Sequence, residues 1–345
     1  MTFMHRFLLR TTAALAALAA CSALAQDNKV LNLYSARHYS TDEALYANFT
    51  KSTGIRINRI EAGDEQLLER LKTEGANSPA DVLLLVDAAR LWNAQQMGLY
   101  APVKSALLES RIPAELRDPG GQWFGYSTRA RVIVYNKATV RRDDVLTYEA
   151  LADPKLKGKV CTRSGSHPYM LSLVAAVAEH DGEAKAEAWA KGVVGNFARK
   201  PAGGDTDQIK AVASGECGVA LTNTYYWVRL LKSTKPDEQE VIRKVGFVWP
   251  NQTTYGTHVN VSGGAMLKNA PNKEAAVKFL EYLASDSAQV YFADGNNEWP
   301  VVKNVAVKNV ELDSLGRFKF DAIGPGVFGK NTPLAQRIVD RAGWR

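Results

Sequence analysis

Apolar positions along this chain follow two alternating rhythms. Short continuous or alternating runs, "KVLNLYSA", "IRINRIEA" and "ADVLLLVD", read as strands. Between them lie segments with a helical repeat: "STDEALYANFTKSTG", "DEQLLERLKTEG" and "AARLWNAQQMG". In the second of these, Leu67, Leu68 and Leu71 share one face and Gly75 ends the pattern. Ser40, Thr41 and Asp42 are capping residues for the first, which stops at Gly54. The run "VLLLV" is apolar throughout, as in a strand covered on both faces. The rhythm returns as "KGKVCTRSG", "PYMLSLVAAVAEHDG", "GECGVALTN" and "TYYWVRLLKS". Strand–helix–strand alternation of this kind predicts an α/β protein with mixed, mostly parallel sheets flanked by helices. No internal repeat or low-complexity tract interrupts it.

The first residues break the pattern. Arg6 and Arg10 precede an alanine-rich apolar stretch that ends in Ala23-Leu24-Ala25, an A-x-A cleavage pattern. Residues 1–25 therefore read as a secretory signal peptide, and the mature protein as exported to the periplasm. Leu18-Ala19-Ala20-Cys21 also resembles a lipoprotein box, but the A-x-A site favours soluble export over lipidation at Cys21. Removing two arginines and no acids takes the formal charge from +7 to about +5. That is modest for this length, and without an arginine-rich run it argues against nucleic acid as a partner. Cys161 and Cys217 remain as an even pair in an oxidising setting, so a disulfide is expected.

The chemistry suggested by this map lies in its tyrosines. Thirteen are present. Tyr34, Tyr46, Tyr135 and Tyr282 sit where packing accounts for them. Tyr39, Tyr169, Tyr225 and Tyr226 each follow a predicted strand and open a helix. Open α/β sheets bind ligands at that end of their strands, and helix amino termini there favour negative charge. Ionising one phenol at pH 7 costs about 4 kcal/mol, so several phenolates require a hard, highly charged Lewis acid. Carboxylate suits magnesium or calcium, imidazole and thiolate suit zinc, and tyrosinate suits ferric iron. His38 beside Tyr39 is a neutral nitrogen donor. Arg37, Arg129 and Arg131 are cations that could balance the net negative centre, and Asn223 is a hydrogen-bonding neighbour. His167 reads as structural, before a proline in a turn. Asp87, ending "LLLVD", reads as a helix cap.

The motifs "SARHYSTDEALYANFTKSTGI", "SPADVLLLVDAARLW", "GYSTRARVIVYNK", "SGSHPYMLSLVAA", "GECGVALTNTYYWVRL" and "GNNEWPVV", in that order, resemble those of the bacterial periplasmic ferric-ion-binding proteins. These are the substrate-binding components of iron ABC transporters. The resemblance implies a two-lobed, type II, transferrin-like periplasmic binding fold with crossing hinge strands. We expect one lobe from residues 26–128 with 258–308 and the other from 129–257 with 309–345. It implies a monomer that closes on Fe(III) and delivers it to an inner-membrane ABC permease and its ATPase. By position it implies His38, Tyr39, Tyr169, Tyr225 and Tyr226 as metal ligands. One branch of the family uses a histidine, a glutamate and the tyrosine pair with phosphate. This chain departs from that branch: Tyr169 stands where it builds an anion pocket, and "LLLV" occupies the stretch that would carry its glutamate. Carbonate remains a candidate synergistic anion.

Two other functions use similar parts. One is a receptor for an organic anion or a chelated metal in the same cleft. The other is a tyrosinate-iron hydrolase, which needs a second metal held by clustered histidines and carboxylates. The mature chain holds four histidines in no such spacing and lacks G-x-S-x-G, H-E-x-x-H and P-loop motifs, so a non-enzymatic role is expected.

Overall fold

The computed structural model describes residues 29–37 and 42–345. The leader, Cys21, His38 and Tyr39 therefore lie outside the described residues. The strand–helix alternation expected above is present. Strand β1 (Val30–Ser35) leads to helix α1 (Asp42–Thr53), then β2 (Arg56–Glu61), α2 (Asp64–Glu74), β3 (Val82–Leu85) and α3 (Ala88–Gln96). Asp42 and Glu43 open α1, complementing its dipole. Gly54 ends it at φ 71°, a left-handed conformation that only glycine adopts cheaply. Asp87 caps α3 by accepting from the Ala89 N–H at 2.8 Å, as its position predicted. Strands β1, β2 and β3 pair in parallel, with β1 between the others. All four side chains of β3 are buried.

Short helix α4 (Ala106–Arg111) precedes the longest strand, β4 (Phe124–Asn136). Its first part, Phe124–Ala130, pairs antiparallel with β8 (Val259–Met266), which in turn pairs with β3. Its second part, from Arg131, pairs with β6 (Val219–Asn223) and β7 (Val245–Val248). Strand β5 (Val160–Cys161) lies parallel to β6. The sheet order is β2-β1-β3-β8-β4-β6-β5, with β7 and β9 (Trp299–Pro300) also on β4. The parallel pairings thus lie at the two ends. The antiparallel share, larger than strict alternation suggests, arises because β4 and β8 run between them.

Helices α5 (Pro168–Asp181), α6 (Glu183–Gly195), α7 (Asp205–Ser214), α8 (Thr224–Leu231) and α9 (Pro236–Lys244) surround β5–β7. Helices α10 (Lys273–Leu283), α11 (Asp286–Asp294) and α12 (Val310–Asp313) follow β8. Every residue of α5 from Met170 to Ala178 is buried, as its all-round apolar sequence requires. The last helix, α13 (Pro325–Ala342), packs on both α5 and α3 and so touches elements from the two ends of the sheet.

The point where β4 changes partners is pinned by a side chain. The fully buried Tyr148 hydroxyl donates to the Arg131 carbonyl at 2.5 Å and accepts from the His258 N–H at 3.0 Å. The Arg131 N–H in turn donates to the His258 carbonyl at 2.9 Å. One phenol therefore ties both crossing strands together.

Cys161 and Cys217 form the expected disulfide, with Cα atoms 5.8 Å apart and a sequence separation of 56. Both are buried against α7 and β6. In the chain-entropy model a loop of this length contributes up to about 4 kcal/mol. Replacing both cysteines by serine should lower the denaturant midpoint by an equivalent of ~2–4 kcal/mol without changing the native circular dichroism.

Candidate functional site

Three of the predicted tyrosines come together. Tyr225 and Tyr226 open α8 directly after β6, and Tyr169 opens α5 after β5. The Tyr225 hydroxyl donates to the Tyr169 hydroxyl at 3.1 Å. The rings of Tyr225 and Tyr226 lie 4.3 Å apart. Adjacent residues on a helix point about 100° apart, so this pair meets only at the helix end, where both can turn toward the strand termini.

Local sequence explains the placement. His167 precedes Pro168 at the first position of α5 and caps it, its Nδ1 accepting from the Tyr169 N–H at 3.2 Å. Its ring also packs edge-on against Tyr169. Burial and the neighbouring Arg163 push its pKa down to about 3, so it stays a neutral cap. At α8 the cap position is Asn223, but its Oδ1 is taken by Arg131 Nη1 at 3.1 Å. The Thr224 hydroxyl meanwhile accepts from the Ala130 N–H at 3.2 Å. The start of α8 is thus fastened to the crossover of β4.

The electrostatics favour an anionic centre. The Arg129 and Arg163 guanidinium carbons lie 5.5 and 5.2 Å from the Tyr169 ring centre, and Arg229 lies 5.2 Å from that of Tyr226. Burial raises the Tyr169 pKa to about 12; Arg129 opposes the rise and Tyr226 adds to it. Ionising it alone at pH 7 therefore costs about 7 kcal/mol. Phenols this close accommodate negative charge only if a cation of higher charge arrives.

Arg129 and Arg131 are both buried, and each meets a carboxylate. Arg131 pairs with Asp205 at 2.6 Å, and Arg163 also reaches Asp205, at 3.4 Å. Arg129 lies 3.9 Å from Asp87 and donates to the Val86 carbonyl. Asp87 is further held by Ser172 and Asn260, at 2.9 and 2.8 Å. A cavity of about 10 Å³ beneath Tyr169 is lined by Arg129, Arg131, Asn223, His258 and Asn260. Arg129 Nη1, Arg131 Nε and Asn223 Nδ2 have no hydrogen-bond partner there. These three are donors, and His258, whose two ring nitrogens are also unpartnered, adds one donor and one acceptor; the set is richer in donors than acceptors, the complement of a negatively charged neighbour. Among the described residues no cluster of three or more His, Cys, Asp or Glu side chains could hold a metal.

Arg37, expected as another balancing cation, is engaged by Asp42 and Glu298, at 2.9 and 3.5 Å. Sequence reasoning missed Arg163, Arg229, Asp205, His258, Asn260 and Glu298. Arg163 lies in the same strand-to-helix turn as Tyr169, so the strand-end rule that found the tyrosine covers it. Arg229 is one helical turn beyond Tyr226. Asp205, His258 and Asn260 carry no local signal; only the register of β4 with β6 and β8 brings them in.

A crossing-strand α/β protein with converging side chains at its strand ends has the architecture of a solute-binding protein. The family model for bacterial extracellular solute-binding proteins matches residues 44–314, and the chain belongs to that family. It is 51% identical over 319 residues to iron uptake protein A1 of Synechocystis, covering 92% of this chain and 88% of that protein. A Trichodesmium protein (IdiA, FutA) solved in complex with iron and citrate ligands is 53% identical. It superposes with TM-score 0.86 over 92% of this chain and 100% of its own. The ferric binding protein of Campylobacter jejuni is 41% identical, with TM-score 0.87 over 91% and 100% of the two chains. The fold is therefore the mixed α/β periplasmic binding fold.

His258 gives the metal-free protein a definite acid response. Burial, then Arg129 and Arg131, push its pKa down to about 3. The unfolded chain takes up this proton near pH 6.5, so stability is full above that value and is lost as pH falls toward 3. Between pH 7 and pH 5 the loss from this residue should be ~2 kcal/mol. Denaturant titrations at the two pH values should find that difference reduced by a similar amount in His258→Gln.

Proposed function

We propose that this protein is a periplasmic receptor that captures Fe(III) through tyrosinate ligands and delivers it to an inner-membrane ABC permease. The observation that carries the reading is the Tyr225–Tyr169 hydroxyl contact at 3.1 Å, with the Tyr226 ring tilted against that of Tyr225 at 4.3 Å and Arg129, Arg163 and Arg229 around the group. Tyr169, Tyr225 and Tyr226 would then be ligands from one side of the cleft. Tyr39 and His38, between β1 and α1, would come from the other. Four phenolates on a trivalent ion leave about one negative charge, which the surrounding arginines offset. Names of relatives support the cargo: an iron uptake protein at 51% identity and a ferric binding protein at 41%. Such relatives are binding proteins rather than enzymes, and we read this chain likewise.

The lobes would be residues 26–128 with 258–308 and 129–257 with 309–345, hinged where β4 and β8 meet Tyr148. Ligands from both lobes make closure and capture one event, and docking on the permease would favour the open form. A monomer suffices for this. The ATPase of the transporter would act on the permease side. Carbonate or a chelating carboxylate could complete the coordination. The iron-and-citrate relative at 53% identity favours testing the chelate first.

Loading with ferric citrate should give an orange to red protein, because phenolate-to-iron charge transfer absorbs visible light. Tyr225→Phe with Tyr226→Phe should abolish that band while leaving the circular dichroism unchanged. Retention of colour and iron in this double variant would remove the site assignment. A colourless loaded wild type that binds citrate alone by calorimetry would instead support the organic-anion receptor. Metal binding displaces phenol protons, so apparent affinity should fall as pH is lowered. Competition against a chelator at pH 7.5 and 6 should detect a loss of at least about tenfold.

A further inference from the structure

Strand β4 places Ser127, Arg129 and Arg131 at alternate positions, and alternate side chains of a strand share a face. All three are buried. Arg131 reaches Asp205 and Asn223, two residues before the first α8 tyrosine. Arg129 lies over the Tyr169 ring. Ser127 reaches a third element: its hydroxyl donates to Glu298 Oε2 at 2.6 Å.

Glu298 is only 1% exposed. The turn after α11 presents it: Asn297 takes a left-handed φ of 59°, and the Glu298 N–H returns to the Phe292 carbonyl at 3.1 Å. The same carboxylate oxygen that accepts from Ser127 lies 3.5 Å from Arg37 Nη1. Arg37 also stacks over Phe292 and pairs with Asp42 at 2.9 Å. Asp42 is held from the other side by Asn296 Nδ2 at 2.9 Å. The circuit therefore fixes residues 37 and 42, which in sequence bracket His38 and Tyr39. Its charges are one cation and two carboxylates, and Glu298 Oε1 has no hydrogen-bond partner. A buried carboxylate so incompletely satisfied is a poor stabilising element on its own, and its field reaches Arg129.

We propose that Glu298 is a positioning residue of the ferric site: with Ser127 it fastens Arg37 and Asp42, which flank His38 and Tyr39 in sequence, to the strand that also carries Arg129 and Arg131 beside the other tyrosines. The inference rests on the ferric-receptor reading. Glu298 touches no ligand tyrosine in the described contacts and acts through Arg37 and Asp42. Arg37 and Asp42 on one side, and the surroundings of Tyr169 on the other, are thereby referred to a single strand.

The test uses the full exported protein, loaded with ferric citrate. Two variants separate position from charge: Glu298→Gln removes the charge and weakens the hold on Arg37, whereas Ser127→Ala keeps the charge and frees the carboxylate. Release to excess chelator, followed by the visible band, should be at least about tenfold faster in Glu298→Gln and several-fold faster in Ser127→Ala. The band itself should shift in both. Melting of metal-free Glu298→Gln should be unchanged or raised, because a buried charge is removed. If release and band match wild type in both variants, the positioning role is wrong, whatever happens to melting. An effect confined to Glu298→Gln would reduce the residue to a source of charge and also overturn the proposal. If Glu298→Gln does not fold, Ser127→Ala alone decides. A wild type that takes up no iron and shows no band would sink the ferric reading itself; a coloured wild type with unaltered variants sinks only this inference.

Discussion

Two buried guanidinium groups on one strand set the terms for the rest of the site. Arg129 and Arg131 are 2% exposed, and a cation removed from water in this way persists only with close anionic or carbonyl partners. Asp205 meets one of them at 2.6 Å, and the Val86 carbonyl and Asp87 serve the other. Asp205 and Asp87 are themselves bound at the openings of α7 and α3. Satisfying these charges therefore draws two helices and the start of α8 to one place on β4. The tyrosines arrive there because their helices do.

On the ferric reading proposed above, the same arrangement would make the site selective by charge. Three rings meet among Arg129, Arg163 and Arg229, but burial holds the Tyr169 phenol protonated in the free protein. Low-charge cations gain too little from neutral phenols to displace their protons. A trivalent ion would gain enough, and its excess negative ligand charge would fall next to guanidinium groups already in position. Donors without partners at Arg129, Arg131 and Asn223 point the same way.

Much of this was legible in the sequence, for local reasons. Strand-to-helix turns are marked by short apolar runs and capping residues, so Tyr169, Tyr225 and Tyr226 could be placed at strand ends without coordinates. The role of Asp87 as a cap and the structural role of His167 followed from their neighbours, and the cysteine pair followed from an exported setting. The antiparallel centre of the sheet was not legible, because nothing local in "GYSTRARVIVYNK" shows that its two halves pair with different strands. The same long-range pairing hid Asp205, His258 and Asn260. Arg37 was assigned by proximity in sequence to His38 and Tyr39, whereas its partner Glu298 lies 261 residues away.

Tyr148 constrains how such a molecule can move. Its hydroxyl joins the Arg131 carbonyl to the His258 N–H, and those residues are also joined backbone to backbone. Sliding one strand along the other by a residue would break these links together and leave polar groups stranded in an apolar interior. Twisting about the strands' length breaks none of them. If the lobes are hinged here as proposed, the joint would flex like a ribbon, with its pivot kept at one fixed height while the flanking bodies swing.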